Sequence, residues 1–243
     1  MIAAPERRSP LLNDFAGSYR FGEAQIDSLI EHGLIAASDV VDGYVLSNDD
    51  PKPSRFYPQW ESLRRWSIDE FDTLFEMGFL SPTPKVELID GFLIEKDPMN
   101  IPHRSSVVRI TNRLPKFLPA GWWVMAQCPV VVDENKPLPD GAIVRGELND
   151  FDHRDVAAAD CGLIIEVADT SLRDDRRVKG TVYAKAGIPH YWIVNVAERR
   201  IETYSDPAES TYRSRVDFIP GQLVPLVLDG VVVATVPVDE LMA

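Results

Sequence analysis

Three successive segments, GLIIEVAD, DDRRVKGTVYAKAG and PHYWIVN, constrain the fold of this chain more than any other feature. The first is an apolar run with β-branched residues, the pattern of a buried strand. The second has helical periodicity and ends at Gly187, a natural helix stop. The third is another buried strand. Strand, helix and strand in succession place the protein in the α/β class, with a mixed sheet. One residue does not fit the first strand. Glu166 puts a carboxylate among Ile164, Ile165 and Val167. Either it reaches water from an edge strand, or it is buried to meet a cation, because an uncompensated buried charge is costly. This stretch alone leaves both readings open.

A chain of 243 residues suffices for one large domain or a domain with an appendage. No apolar run approaches membrane-spanning length and the first residues do not pattern as a signal peptide, so a cytoplasmic protein without membrane contact is expected. Cys128 and Cys161 both lie in apolar, strand-like runs and read as buried thiols. The net charge of -13 argues against a nucleic-acid coat protein. The segment from Pro98 to Val132, however, contains no acid and carries Arg104, Arg109, Arg113 and Lys116. It reads either as a solvated helix face or as a local contact for a phosphate backbone.

The N-terminal part contains a degenerate duplication. IDSLIEHGLI (Ile26–Ile35) aligns with FDTLFEMGFL (Phe71–Leu80), and SDVVDGYVL (Ser38–Leu46) aligns with VELIDGFLI (Val86–Ile94). Each copy predicts a short amphipathic helix stopped at glycine, then two strands joined at Asp-Gly. A linker rich in proline and charge, NDDPKPSRFYPQW, separates the copies. Residues 1–60 are therefore expected to form an extension and residues 61–243 the main domain. Within the latter, a helix over His103–Leu114, one kinked strand over WWVMAQCPVVVD, a short strand at PDGAIVR and antiparallel strands towards the C-terminus are expected.

Alternation puts Glu166 on one strand face with Ile164 and Ala168, while Asp140 opens another short strand. Two adjacent strands can then present two carboxylates at one sheet edge. Such a pair, completed by water, suits magnesium or manganese. Glu87 in the hairpin supplies a third acid, and His103 opens the basic helix. On the later helix Asp175, Lys179 and Tyr183 recur at i, i+4 and i+8 as a polar stripe beside Val178, Val182 and Ala186. Lys179 reads either as a surface partner of Asp175 or as a member of the site.

The segments VELIDGFLI, PH before a helix, QCPV, PDGAIV, IIEVADTS, DDRRVK and YAKAGIPHYWIVN resemble, as an ordered set, the Uma-type family within the PD-(D/E)XK nuclease superfamily. The likeness runs from about Trp66 to the C-terminus. It implies a restriction-endonuclease-like core, a mixed β-sheet flanked by helices, magnesium dependence and phosphodiester hydrolysis, with DNA the first-choice substrate and a homodimer the implied assembly. Through it, Asp140 matches the motif aspartate, Glu166 the acid of the second half-motif, and Lys179 the displaced lysine carried on the following helix. Glu87, His103, Gln127 and Asp175 match positions the family fills with the same residue types. Three positions depart from the pattern: His190 stands where an acid often precedes YW, Gly141 where a bulkier apolar residue follows the aspartate, and Ala168 where the superfamily has lysine. Ala168 is small and faces the same way as Glu166, leaving space for a lysine from the helix. The first repeat copy lacks the histidine and has Asp39 in place of Glu87, so no second site is expected there.

Together these features predict an endonuclease in which Glu166, Asp140 and the Val167 carbonyl bind the metal ion. Lys179 would orient the attacking water, Glu87 would serve a second ion, and Tyr183 would support the site. Arg104, Arg109 and Arg113 would hold the nucleic-acid backbone. The alternatives are a nuclease-fold protein that binds without cutting and a metal-dependent hydrolase of a small phosphoester.

Overall fold

The structure, a computed structural model, describes residues 18–41, 43–47, 62–80 and 85–242. The linker at 48–60, Asp42 of the first Asp-Gly pair and the patternless stretch up to residue 17 lie outside the described residues. Contacts divide the chain into two compact units, Met1–Asp97 and Pro98–Ala243. The division anticipated near residue 60 therefore falls inside the first unit. The reason is a shared core: Leu29, Ile35 and Val45 of the first repeat copy pack in one cluster with Phe71, Leu74, Val86 and Leu88 of the second.

In the first unit, α1 (Glu23–Glu31) is followed by the antiparallel pair β1 (Val40–Val41) and β2 (Tyr44–Val45). Likewise α2 (Ile68–Glu76) is followed by the hairpin of β3 (Val86–Ile89) and β4 (Phe92–Glu95). Ser67 and Glu70 start α2 by a reciprocal capping box, the Glu70 amide donating to Ser67 Oγ (3.2 Å) and the Ser67 amide to Glu70 Oε2 (2.9 Å). Gly78 stops it at φ +75°, a conformation that costs glycine little. Asp39, the counterpart of Glu87, is used locally: it accepts from the Ala36 amide and from Ser38 Oγ, capping its own turn.

The second unit opens with α3 (Ile101–Arg113), whose N-cap Asn100 accepts from the His103 amide. Then come β5 (Trp122–Met125), β6 (Val130–Val131), β7 (Gly141–Arg145), β8 (Val156–Ala157) and β9 (Cys161–Ala168). A composite helix crosses over next: α4 (Leu172–Asp174), a π-turn (Asp175–Lys179) and α5 (Gly180–Lys185). The chain finishes with β10 (His190–Asn195), β11 (Arg200–Ala208), β12 (Thr211–Phe218), the hairpin β13 (Leu223–Leu228) and β14 (Val231–Pro237), and α6 (Val238–Leu241). Six strands form one mixed sheet in the order β12-β11-β10-β9-β7-β5. Only β9 and β10 are parallel, as their helical crossover requires.

The two sheet faces differ. Leu163, Ile165 and Val167 join a core with Ile110 of α3 and Leu114 just after it, Val224 and Leu226 of β13, and Leu241 of α6. The opposite face, which carries Glu166, lies under the crossover helix, whose Lys179 and Tyr183 both bond to that carboxylate. The segment expected to be one kinked strand, WWVMAQCPVVVD, is two: β5 joins the large sheet, whereas β6 pairs in parallel with β8. The break occurs where Gln127 adopts φ +52° and Pro129 offers no amide to a ladder.

Gly162 lies where β9 passes beneath Trp122 and Leu228. A Cβ there would sit 2.6 Å from Trp122 Cζ3 and 2.7 Å from Leu228 Cδ2. Gly162→Ala is expected to destabilise by about 1–3 kcal/mol through overpacking, which thermal denaturation would register as a lower Tm. An unchanged Tm would mean that both side chains yield freely.

Candidate active site

The site grows from the register of β7 on β9. Gly141 pairs with Ile165, so one residue further Asp140 reaches the position beside Glu166, just past the end of β7. With no strand backbone left there, the Asp140 carboxylate takes the ladder position itself: the Val167 amide donates to Asp140 Oδ2 at 2.9 Å. The amide and carbonyl of one strand residue point to the same side, so the Val167 carbonyl also points towards Asp140 rather than towards β10. The carboxylates are almost fully buried, Asp140 at 2% exposure and Glu166 at 1%.

Across the crossover, Lys179 Nζ donates to Glu166 Oε1 at 2.9 Å and Tyr183 Oη donates to the same oxygen at 2.8 Å. Lys179 is only 7% exposed. It points inward to Glu166, and the polar stripe Asp175–Lys179–Tyr183 is itself a buried face of the helix, as are Val178 and Val182. The helix can bury that stripe because the sheet beneath offers a carboxylate. Asp175 accepts from Ser171 Oγ at 2.6 Å, and its backbone carbonyl accepts from Tyr191 Oη at 3.1 Å. Burial, reinforced by the Glu166 and Asp140 charges and opposed by Lys179 and Ser171, pushes the Asp175 carboxyl up to about 8.

This shift has a consequence for stability. A carboxyl raised from 3.8 to about 8 contributes stability that is fully present below about pH 4 and is lost as pH rises towards 8. In EDTA, the Asp175 contribution to melting temperature is expected to decline over that window, so the difference between wild type and Asp175→Asn should change with pH from 4 to 8. An unaltered profile in the variant would remove Asp175 from the coupled cluster.

His103 presents Nε2 3.2 Å from Asp140 Oδ2, a charge-pair distance at an angle that makes no hydrogen bond, and this buried nitrogen has no hydrogen-bond partner among the described residues. Gln127 Nε2 donates to Met99 Sδ at 3.2 Å, beside the start of α3. Arg104 is exposed on α3. Arg109 and Arg113 turn to the C-terminal helix, Arg109 donating to the Asp239 carbonyl and Arg113 pairing with Glu240. Glu87 belongs to the first unit, where β3 buries it. Among groups the sequence did not single out, Ser171 and Tyr191 both touch Asp175. Neither was detectable from spacing, since a serine after a strand and a tyrosine in an apolar strand are commonplace.

A family model described as "putative restriction endonuclease", Uma2, matches residues 68–236. The chain belongs to the Uma2 family. A crystal structure of a "putative nuclease" from Anabaena variabilis is similar in fold, with a TM-score of 0.54 at 16% identity, covering 72% of this chain and 96% of that one. A search of curated proteins finds no match. By family and fold the chain is of the nuclease type, with a restriction-endonuclease-like mixed sheet. The three departures from the Uma2 pattern have physical counterparts. Ala168 is fully buried on the Glu166 face, whose ammonium comes instead from Lys179. A Cβ at Gly141 would meet Ile110 at 3.5 Å and Ile165 at 3.7 Å, ordinary contacts that an alanine could make. His190, at the start of β10, has its pKa lowered by burial.

The donor chemistry of this Uma2 site fits a hard divalent cation. Asp140, Glu166 and Asp175 bring three buried carboxyls to a cluster whose buried ammonium is Lys179. Asp175, raised to about 8, is mostly protonated at neutral pH, so the imbalance rests on Asp140 and Glu166 beside the one Lys179 ammonium, and like charges held together without a cation repel. Among the described residues, no three His, Cys, Asp or Glu side chains form a ready cage. Magnesium does not require one, because it is commonly held by one or two carboxylates and retains several waters.

Proposed function

We propose that the protein is a magnesium-dependent endonuclease that hydrolyses phosphodiester bonds of nucleic acid, with DNA the expected substrate. The observation carrying this reading is the buried pair Asp140 and Glu166, set beside one another by the β7–β9 register, with Lys179 Nζ 2.9 Å from Glu166 Oε1. Asp140, Glu166 and the Val167 carbonyl would hold the ion. When bound, magnesium would supply an acidified water and neutralise phosphoryl charge.

The other roles belong to this chain's own groups. The Lys179 ammonium would orient the water and stabilise charge developing on the phosphoryl oxygens, in a site where low dielectric strengthens its effect. Tyr183 Oη shares Glu166 Oε1 with that ammonium and so fixes the carboxylate's rotamer. His103 Nε2, facing Asp140, would be free to donate to a phosphate oxygen. Arg104, Arg173 and Arg177 are exposed and would meet the flanking phosphates, whereas Arg109 and Arg113 would fasten α3 to α6.

The test is cleavage of supercoiled plasmid by the full chain in magnesium, with EDTA and Glu166→Gln as controls. Nicking that requires both the ion and Glu166 is expected. Retention of DNA without cutting in magnesium would instead indicate a binding protein on a nuclease fold.

A further inference from the structure

The π-turn that carries Lys179 is held at a second point. Arg176, three residues before Lys179, forks onto Glu202 of β11, its Nε donating to Oε2 at 2.9 Å and its Nη2 to Oε1 at 2.5 Å. Glu202 is completely buried and also accepts from Asn195 Nδ2 (2.9 Å) and Tyr204 Oη (2.7 Å), with Arg215 Nη2 at 3.3 Å. Burial alone would raise this carboxyl; the bonds from Arg176, Asn195 and Tyr204, with the charge of Arg215, outweigh it and leave its pKa lowered. The register explains the geometry. Glu166 pairs with Ile193, and Ile193 pairs with Glu202. The two glutamates thus lie in one row on one face of the sheet, two strands and about 10 Å apart. The turn sets Lys179 on one and Arg176 on the other.

A third anchor acts on the backbone. The Asp175 carbonyl accepts both the Gly180 amide, the wide hydrogen bond of the π-turn, and Tyr191 Oη. A π-turn is an uncommon, costly insertion in a helix and persists where surrounding contacts hold it. Rotating or sliding the segment about Lys179 would break the bidentate Arg176 fork, whose geometry tolerates little displacement.

We propose that Glu202 is a positioning residue: through Arg176 it fixes the π-turn so that Lys179 stands on Glu166. Its consequence for catalysis rests on the nuclease reading above; its consequence for the turn does not.

The experiment compares wild type, Glu202→Gln, Arg176→Lys and the double variant Glu202→Gln/Arg176→Lys by amide hydrogen exchange and by plasmid cleavage in magnesium. In Glu202→Gln, exchange at 176–180 is expected to rise about tenfold or more while β9 stays protected. The turnover number should fall about tenfold with KM little changed, since misplacing Lys179 weakens the transition state and not substrate binding. The double variant should lose no more than Glu202→Gln alone, because both substitutions break one contact. Arg176→Lys, which keeps the charge but not the fork, should show a partial effect and serves as the informative variant if Glu202→Gln does not fold. Exchange at 176–180 unchanged in a folded variant would overturn the proposal, whatever the cleavage rate. A wild type that cuts no nucleic acid would remove the nuclease reading and leave the exchange result to decide this one.

Discussion

Replacing Lys179 with methionine is expected to lower the rate of phosphodiester cleavage about 100-fold or more, the usual cost of removing one donor aimed at transition-state charge. Methionine keeps most of the side chain's volume, so the helix should still pack over β9. The response to the ion should survive and even increase, because the ammonium and a divalent cation compete for the same Glu166 carboxylate, 2.9 Å from Nζ. A second variant places the charge on the other wall. Ala168 shares the strand face of Glu166 and is fully buried. Ala168→Lys combined with Lys179→Ala should therefore recover part of the activity. Full cleavage by Lys179→Met, measured as single-turnover rate at saturating magnesium, would remove the lysine from the chemistry.

The second large effect concerns Glu166→Gln. Magnesium or manganese at about 100 times its dissociation constant would stabilise the folded state by about 2.7 kcal/mol. For a chain of this size that corresponds to a Tm increase of about 5–10 °C. Glu166→Gln is expected to abolish the increase while leaving a folded protein, since the amide still accepts from Tyr183 and fills the same space. Asp140→Asn should weaken the increase as well, and an amide there also offers the Val167 amide a poorer acceptor than the carboxylate does. An undiminished metal response in Glu166→Gln would place the ion elsewhere.

How far the site could be read from the residues follows from what each signal encodes. The strand–helix–strand segment was legible because nearly every residue of β9 and β10 is apolar, and Glu166 was conspicuous there for the same reason. The helix stops at Gly78 and Gly187 and the turn at Asp90-Gly91 were legible because only a few residue types tolerate positive φ. Gln127 was not, because glutamine carries no turn signal and its left-handed conformation is imposed by tertiary packing. The burial of the Asp175 stripe was hidden for a related reason. Helical spacing distinguishes faces but does not say which face meets a carboxylate. Glu202 shows the same limit most clearly. In RIETYSD it alternates like any solvent-facing acid, yet it is completely buried, because Arg176 closes over it. Such a residue becomes visible only when register and crossover are known. The assignment of Asp140, Glu166 and Lys179 to one site came mainly from the ordered set of motifs, and the structure brings these three together.

The most direct measurement is a crystal of the full chain soaked in manganese, with anomalous data collected at the manganese edge. One strong peak is expected, shared by an Asp140 oxygen and a Glu166 oxygen, on the side of the Val167 carbonyl. No peak there, with Lys179 still bonded to Glu166 and Asp140 still bonded to the Val167 amide, would contradict the proposed metal site.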